Sequence, residues 1–377
     1  MEQQAKKIWI FDSTLRDGAQ GEEISFSVQD KLNIVQTLDQ LGIDYIEAGN
    51  PGSNPKDLEF FERVGQLTLH HAKLVAFGST RRKEEKVEDD INLQALLSAN
   101  TKAVSIFGKS WDFHVTDIIH TTLEENLRMI EETVAFLKAH GKEVIFDAEH
   151  FFDGYKRNPD YAMQTLLAAQ KGGADYICLC ETNGGAFPDE VSRIVAQVLP
   201  QLRVPVGIHT HDDGGMAVAS SVMAVLAGAQ MVQGTLIGFG ERCGNANLSA
   251  IIANLQLKRN YQCIPPENLH KLMQTCRVVS EISNVRLHKN MPYVGKSAFA
   301  HKGGMHIDGV NKAPASFEHI NPESVGNSRR FLMSEVAGRS TLIERIQKVD
   351  ASVRREDEVT TRIINQVKEM EHQAKEE

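Results

Sequence analysis

A strand-length apolar run followed by a helix-length stretch recurs eight times along the first part of this chain. The runs are Ile8–Asp12, Tyr45–Ala48, Leu74–Phe77, Ala103–Ile106, Glu143–Asp147, Tyr176–Leu179, Val206–His209 and Met231–Gly234. Helical patterns fill the intervals, for example at Val28–Leu41, Thr122–His140, Pro159–Gly172 and Met216–Ala227. Strands alternating with helices of this length predict a parallel sheet with crossover connections. Eight such units in roughly 250 residues predict an α/β fold, the closed (β/α)8 TIM barrel, with its chemistry at the C-terminal ends of the strands. The chemistry-bearing residues obey that rule. Arg16 and Asp17 follow the first run, Glu47 goes with the second, Ser79–Arg82 with the third and Lys109 with the fourth. Glu149 follows the fifth, Thr182 the sixth, His209 and His211 the seventh, and Glu241–Asn245 the eighth. A doubly wound open sheet would scatter these residues over two edges instead of one mouth.

The seventh run ends in Gly207-Ile208-His209-Thr210-His211-Asp212-Asp213. In a strand, residues i and i+2 point to one face, so both imidazoles point the same way from a strand end. Alone, the pair also reads as two polar residues at a strand-to-loop junction. Asp17, in Thr14-Leu15-Arg16-Asp17-Gly18, ends another strand in the same manner. Two neutral histidines and one carboxylate, with positions left open, suit a catalytic divalent metal. Arg16 beside them can stabilise an oxyanion, and it reads equally as a structural partner of Asp17 at a turn.

Composition bounds the rest. The 377 residues are 41% hydrophobic and 24% charged, which suits one large domain plus an appendage. A net charge of −9 without a long basic run argues against a nucleic-acid partner. Met1–Lys7 contains no apolar signal segment, and no later stretch is long enough to span a bilayer, so no membrane partner is expected. The five cysteines, at 178, 180, 243, 263 and 276, show no zinc-ribbon spacing and read as reduced thiols of a cytoplasmic protein. Cys178 and Cys180 read as core residues. After about Pro265 the pattern changes. Asn268–Ile282 reads as a helix, Tyr293–Gly309 as an irregular Gly-rich stretch, and Arg339–Lys348 and Glu356–Lys375 as helices. The expected division is a barrel over residues 1–270 and a small, mostly helical subdomain over 271–377.

Several motifs carry a family resemblance. Asp12-Ser13-Thr14-Leu15-Arg16-Asp17-Gly18-Ala19-Gln20 resembles the signature of the acyl-CoA condensing enzymes related to 2-isopropylmalate, homocitrate and citramalate synthases and to 3-hydroxy-3-methylglutaryl-CoA lyase. The likeness continues in His209–Asp213 and in Gly234–Leu248, which contains Gly240-Glu241-Arg242-Cys243-Gly244-Asn245. Further matching segments are Phe77–Arg82, Ile106–Asp112, Asp147–Tyr155 and Tyr293–His306. Together they cover essentially the whole chain and resemble the longer bacterial citramalate synthase branch.

The resemblance implies an acyltransferase that joins acetyl-CoA, as co-substrate, to a 2-oxo acid, with pyruvate giving citramalate. The alternatives are the same chemistry on another 2-oxo acid, and a retro-Claisen lyase. It implies a divalent metal (Mn, Mg, Zn or Co) on Asp17, His209 and His211, with Asn245 as a weaker ligand. Arg16, Glu149, His306 and Asp308 are the implied catalytic residues. His306 and Asp308 would be brought by the subdomain after the barrel, and by itself His306 is a histidine in a glycine-rich loop. Arg16, Gln20, Thr182 and Asn50 are the implied substrate contacts, Thr182 reading equally as a helix N-cap. A homodimer is implied, with the post-barrel segment reaching the other subunit's site. Arg81, Arg82 and Lys83 could meet CoA phosphates or form a solvated turn. Bulk from Phe107, Trp111, Phe151 and Phe152 is expected to shrink the substrate pocket.

Departures from the branch pattern are Asp212 where Asn is usual after the histidine pair, Phe317 where relatives carry Tyr, and Asn50 where the branch carries Trp. Members of the branch usually continue into a regulatory domain of about a hundred residues, an ordinary domain size. This chain therefore reads as a catalytic core without feedback inhibition by isoleucine or leucine.

Overall fold

The structure, a computed structural model, describes residues 5–332, 347, 350, 352, 354 and 357–373. The chain forms two compact units, Met1–Arg286 and Leu287–Glu377. The first holds eight parallel strands: β1 (Trp9–Asp12), β2 (Tyr45–Gly49), β3 (Lys73–Ser79), β4 (Ala103–Lys109), β5 (Glu143–Glu149), β6 (Tyr176–Glu181), β7 (Val206–Thr210) and β8 (Met231–Gly234). Each pairs with the next, and β1 pairs with β8 to close the barrel. The helices are α1 (Val28–Leu41), α2 (Pro55–Val64), α3 (Ile91–Ser98), α4 (Leu123–Ala139), α5 (Phe151–Arg157), α6 (Pro159–Gly172), α7 (Pro188–Val198), α8 (Ala217–Ala227), α9 (Leu248–Lys258) and α10 (Leu272–Ser283). The predicted TIM barrel is therefore the observed fold.

Local sequence explains why the units form. In α1, Ser27 and Asp30 build a reciprocal capping box, and Gly42 ends the helix at φ 96°, a left-handed conformation that costs glycine little. Between these ends Ile34, Val35, Leu38 and Leu41 form the buried stripe. Inside the barrel, Phe11, Tyr45, Val75, Ala103, Ile145, Cys178, Cys180 and Met231 pack into one cluster. Strand β7 contributes Gly207 at that level, in register with Cys178 and Met231. Since side chains alternate along a strand, an inward Gly207 places His209 inward one layer nearer the mouth.

Strands β3, β4 and β5 run two or three residues beyond the apolar runs. Backbone pairing continues through polar residues, as in Lys109 opposite Glu149, where apolar periodicity carries no signal. Lys109 and Glu149 accordingly sit on paired strand ends, not in loops. Helix α10 follows a 3-10 turn over Pro266–Lys271 and packs on α1.

The second unit contains a short parallel pair, Ala300–His301 with Arg330–Phe331, and helices α11 (Gly304–Lys312) and α12 (Glu358–Gln373). The irregular stretch expected to Gly309 is thus helical from Gly304, because the buried Ile307 and Val310 give it a one-sided apolar face at i, i+3 that its glycines disguise. The expected helix at Arg339–Lys348 lies outside the described residues apart from Gln347. Among the described residues, no helix is long and apolar enough to cross a membrane.

Candidate active site

The strand ends converge on a cavity of about 230 Å³ at the C-terminal mouth of the barrel. Its lining includes Arg16, Asp17, Gln20, Asp147, Glu149, Thr182, His209 and His211. Asp17 comes from the loop after β1, while His209 is on β7 and His211 lies just past it. One Nε2–Nε2 distance of 3.2 Å separates the two imidazoles, and Asp17 Oδ2 lies 3.4 Å from His209 Nε2 and 4.0 Å from His211 Nε2. All three side chains are buried.

Asn245 joins them through the segment that returns over the mouth after β8. Gly234 permits that return, since a Cβ there would lie 2.4 Å from the Ala246 carbonyl oxygen. Thr235 N donates to Ala246 O, Ala246 N to Thr210 O, and Asp212 N to Gly244 O. These bonds pin Asn245 opposite His211 as an isolated antiparallel bridge. The Asn245 carboxamide is buried, and neither its oxygen nor its nitrogen makes a hydrogen bond among the described residues. It lies near enough to Asp17 for its amide to help lower that carboxyl as a hydrogen-bond donor.

These donors fit a divalent cation. Burial raises the Asp17 carboxyl, but Arg16, His209 and His211 outweigh burial and leave it below the usual carboxylate range. Burial lowers His209 despite the nearby Asp17, and burial with His209 alongside takes His211 down to about 4. The site therefore offers an ionised carboxylate, two neutral imidazoles and an unsatisfied buried carboxamide, a donor set suited to a borderline divalent ion. An unpaired buried amide costs about 1–3 kcal/mol, and a cation bonded to its oxygen would offset part of that.

Arg16 Nε donates to Glu47 Oε2 at 2.7 Å, its Nη1 lies 3.4 Å from Asp17 Oδ2, and its guanidinium sits 3.8 Å over the Phe77 ring. Burial works against its charge, yet Glu47 and Asp17 outweigh burial and leave its pKa raised. Glu47 also accepts from Ser13 Oγ and Ser105 Oγ, each at 2.5 Å. Glu149 is ion-paired with Lys109. Thr182 Oγ1 accepts from His150 N at 2.9 Å, which leaves its own hydroxyl hydrogen free to point into the cavity.

Other expected residues fall elsewhere. Asn50 lines a neighbouring cavity of about 320 Å³, which shares Arg16, Gln20 and Phe77 with the first. Its side-chain oxygen accepts from Gly52 N, and its backbone N donates to Asp57 Oδ2. Asp212 accepts from Ala217 N at the start of α8, so its carboxylate organises a helix start. Arg242 pairs in a bidentate manner with Asp213, not with Glu241, and reaches Thr182 O. Arg81 is buried between Glu125 and Glu132, both at 2.7 Å, so this arginine of the Arg81–Lys83 turn is neither solvated nor free to meet a phosphate.

Phe151 and Phe152 are fully buried on α5, and neither they nor Trp111 line the cavity. The helix that starts right after β5 carries both rings into the core. Bulk at the mouth comes instead from Phe107 and Phe77, stacked at 5.4 Å between centroids. In the second unit, His306 is exposed on α11 with its ring 4.5 Å from Phe317, and Asp308 pairs with Lys312.

The sequence reading does not single out Asp147, Gln233, Cys180 or Phe77 as site residues. Their signal is the two-residue strand period. Asp147 precedes Glu149 by two, and Cys180 and Gln233 are the register partners of His209 on either side.

Fold and donor set together define a TIM barrel with a candidate metal centre at its mouth. Comparison with known proteins narrows this. A family profile described as HMGL-like matches residues 7–279, and one described as homocitrate synthase post-HMGL domain-like matches residues 293–375. The chain belongs to the HMGL-like family, whose members are metal-dependent. It is 53% identical to the (R)-citramalate synthase of Aquifex aeolicus over 97% of this chain and 70% of that protein. It is 50% identical to the (R)-citramalate synthase of Synechocystis over 97% of this chain and 68% of that protein. A probable 2-isopropylmalate synthase of Methanopyrus kandleri is 34% identical over 95% of this chain and 69% of that protein. Among solved structures, the hydroxymethylglutaryl-CoA lyase of Pseudomonas aeruginosa matches with a TM-score of 0.63 at 19% identity, covering 78% of this chain and 98% of that one, a likeness of fold.

Proposed function

We propose that this chain condenses acetyl-CoA with pyruvate and water to give citramalate and CoA. The observation that carries the reading is identity of 44–53% over nearly the whole chain to five proteins named (R)-citramalate synthase. Two probable 2-isopropylmalate synthases and a homocitrate synthase stand at 31–34%.

Asp17, His209, His211 and Asn245 would hold a divalent cation, which when bound would polarise the carbonyl of a 2-oxo acid as a Lewis acid. The remaining work falls to the chain's own groups. Arg16, fixed at Nε by Glu47, lines the cavity, where charge developing on the keto oxygen would meet a preorganised cation. Thr182, its oxygen already engaged by His150 N, can donate to a substrate carboxylate. Glu149, held by Lys109, is the carboxylate assigned to the acetyl methyl, whose proton must leave before the new carbon–carbon bond forms. His306 and Asp308 are assigned to proton transfer on the strength of their motif. Hydrolysis of the thioester then releases CoA and makes the step irreversible. Phe77 and Phe107 bound the space beside the substrate and favour a methyl substituent.

The test is product analysis. Acetyl-CoA labelled in its methyl carbon, incubated with pyruvate and the chain, should yield citramalate carrying that label, one CoA per product. Unlabelled product, or label recovered only as acetate, would overturn the assignment.

A further inference from the structure

The candidate metal ligand His209 is not alone at its level of the barrel. Its register partner on β8 is Gln233, about 1% exposed, and Gln233 Oε1 lies 3.1 Å from His209 Nδ1. On the other side of the same carboxamide, Gln233 Nε2 donates to Asp147 Oδ1 at 2.8 Å. Asp147 sits on β5, is buried, and lines the cavity floor.

From this arrangement we infer that Gln233 is a positioning residue, anchored by Asp147, which fixes His209 as the tautomer able to bind a metal. The inference rests on the metal-dependent reading of the site. A carboxamide is asymmetric, with one end accepting and the other donating. With its nitrogen committed to Asp147, Gln233 turns its oxygen to His209. The imidazole must then carry its proton on Nδ1, and the Nε2 lone pair faces Asp17 and His211. A reversed amide would put a donor against Nδ1 and move the proton to Nε2, on the metal side. Asp147 therefore selects the orientation, and its oxygen is needed as an acceptor. Such outer partners of metal-bound histidines typically govern affinity by 10- to 100-fold.

Metal binding itself is the readout, without substrate. Zn2+ and Mn2+ are titrated calorimetrically into the metal-free full chain and its variants. Gln233→Met, close in size but without a carboxamide, should weaken binding roughly 10- to 100-fold. Gln233→Glu and Asp147→Asn, which keep an acceptor where one is required, should stay within about threefold of the parent, whereas Asp147→Leu should resemble Gln233→Met. Folding is checked by thermal unfolding of each metal-free variant. Should Gln233→Met fail to fold, nitrogen-15 NMR of the histidines in the unmutated metal-free chain decides: His209 should show the Nδ1–H tautomer. A folded Gln233→Met variant that binds both metals like the parent, or an Nε2–H tautomer at His209, overturns the inference and leaves the metal centre standing. A parent chain that binds neither metal removes the reading beneath it as well.

Discussion

Replacing Glu47 by Gln should destabilise the barrel by about 2–3 kcal/mol and weaken the anchor of Arg16. The substitution conserves volume and removes one buried charge. Glu47 accepts three hydrogen bonds, from Ser13 Oγ and Arg16 Nε on Oε2 and from Ser105 Oγ on Oε1. With the Gln oxygen in the Oε2 position, its amide nitrogen faces Ser105, whose hydroxyl can rotate to accept. That bond survives in reverse. The other two persist but lose their ionised acceptor. Bonds to a charged group contribute about 1.5–3 kcal/mol and neutral ones about 0.5–1.5, so each loses roughly 1–1.5. Glu47→Ala should cost more, about 3–5 kcal/mol, because it leaves the Arg16 guanidinium buried without its main partner. Urea unfolding with constant m-values gives both numbers, and kcat/KM should fall at least about tenfold in Glu47→Gln as the bond that anchors Arg16 loses its ionised acceptor. A Glu47→Gln variant within about 0.5 kcal/mol of the parent, ordinary for an uninvolved surface site, would refute the claim that this carboxylate holds the mouth together.

Removing the cation with a strong chelator should abolish CoA release, and His209→Ala should lose both bound metal and most activity; metal analysis beside the assay checks this. Arg81→Met should cost about 1.5–3 kcal/mol of stability by removing a charged hydrogen bond to the buried Glu125, which keeps Arg128 as a partner, while the KM for acetyl-CoA stays unchanged, since this arginine is committed to two glutamates. Burial raises Glu181 from 4.5 to about 7. Its folded-state proton affinity therefore exceeds the unfolded one, so its contribution to stability is complete below pH 4.5 and is lost as pH rises through 7, a change on the order of 3 kcal/mol. Urea unfolding of Glu181→Gln should show a correspondingly flatter decline than the parent between pH 5 and 8. Co-expression of His306→Ala and Arg16→Ala chains, each nearly inactive alone, should restore part of the activity if a dimer shares its sites.

The fold was readable because a (β/α)8 barrel writes itself as eight apolar runs at regular intervals. The candidate metal donors were readable because His209 and His211 share a strand period and Asp17 closes another strand. Asn245 lay in a recognisable segment, but its place beside His211 depends on backbone bonds between the β7 and β8 ends, which no local pattern encodes. Gln233 and Asp147 escaped for a related reason. A polar residue in mid-strand reads as noise until register shows what stands beside it. Arg81 misled because an arginine pair after a strand looks solvated, and its partners on α4 are far away in sequence. Phe151 and Phe152 misled because their position after β5 suggested the mouth, whereas the helix they begin turns them into the core.

Substrate choice is the most direct test of the whole account. The measurement is kcat/KM by CoA release for pyruvate, 2-oxobutyrate, 2-oxoisovalerate, oxaloacetate and 2-oxoglutarate under one set of metal and acetyl-CoA conditions. With Phe77 and Phe107 at the cavity wall, pyruvate should be best, 2-oxobutyrate intermediate, and 2-oxoisovalerate lower by roughly 10- to 200-fold. Phe107→Ala should narrow that gap. A best substrate other than pyruvate would contradict the account.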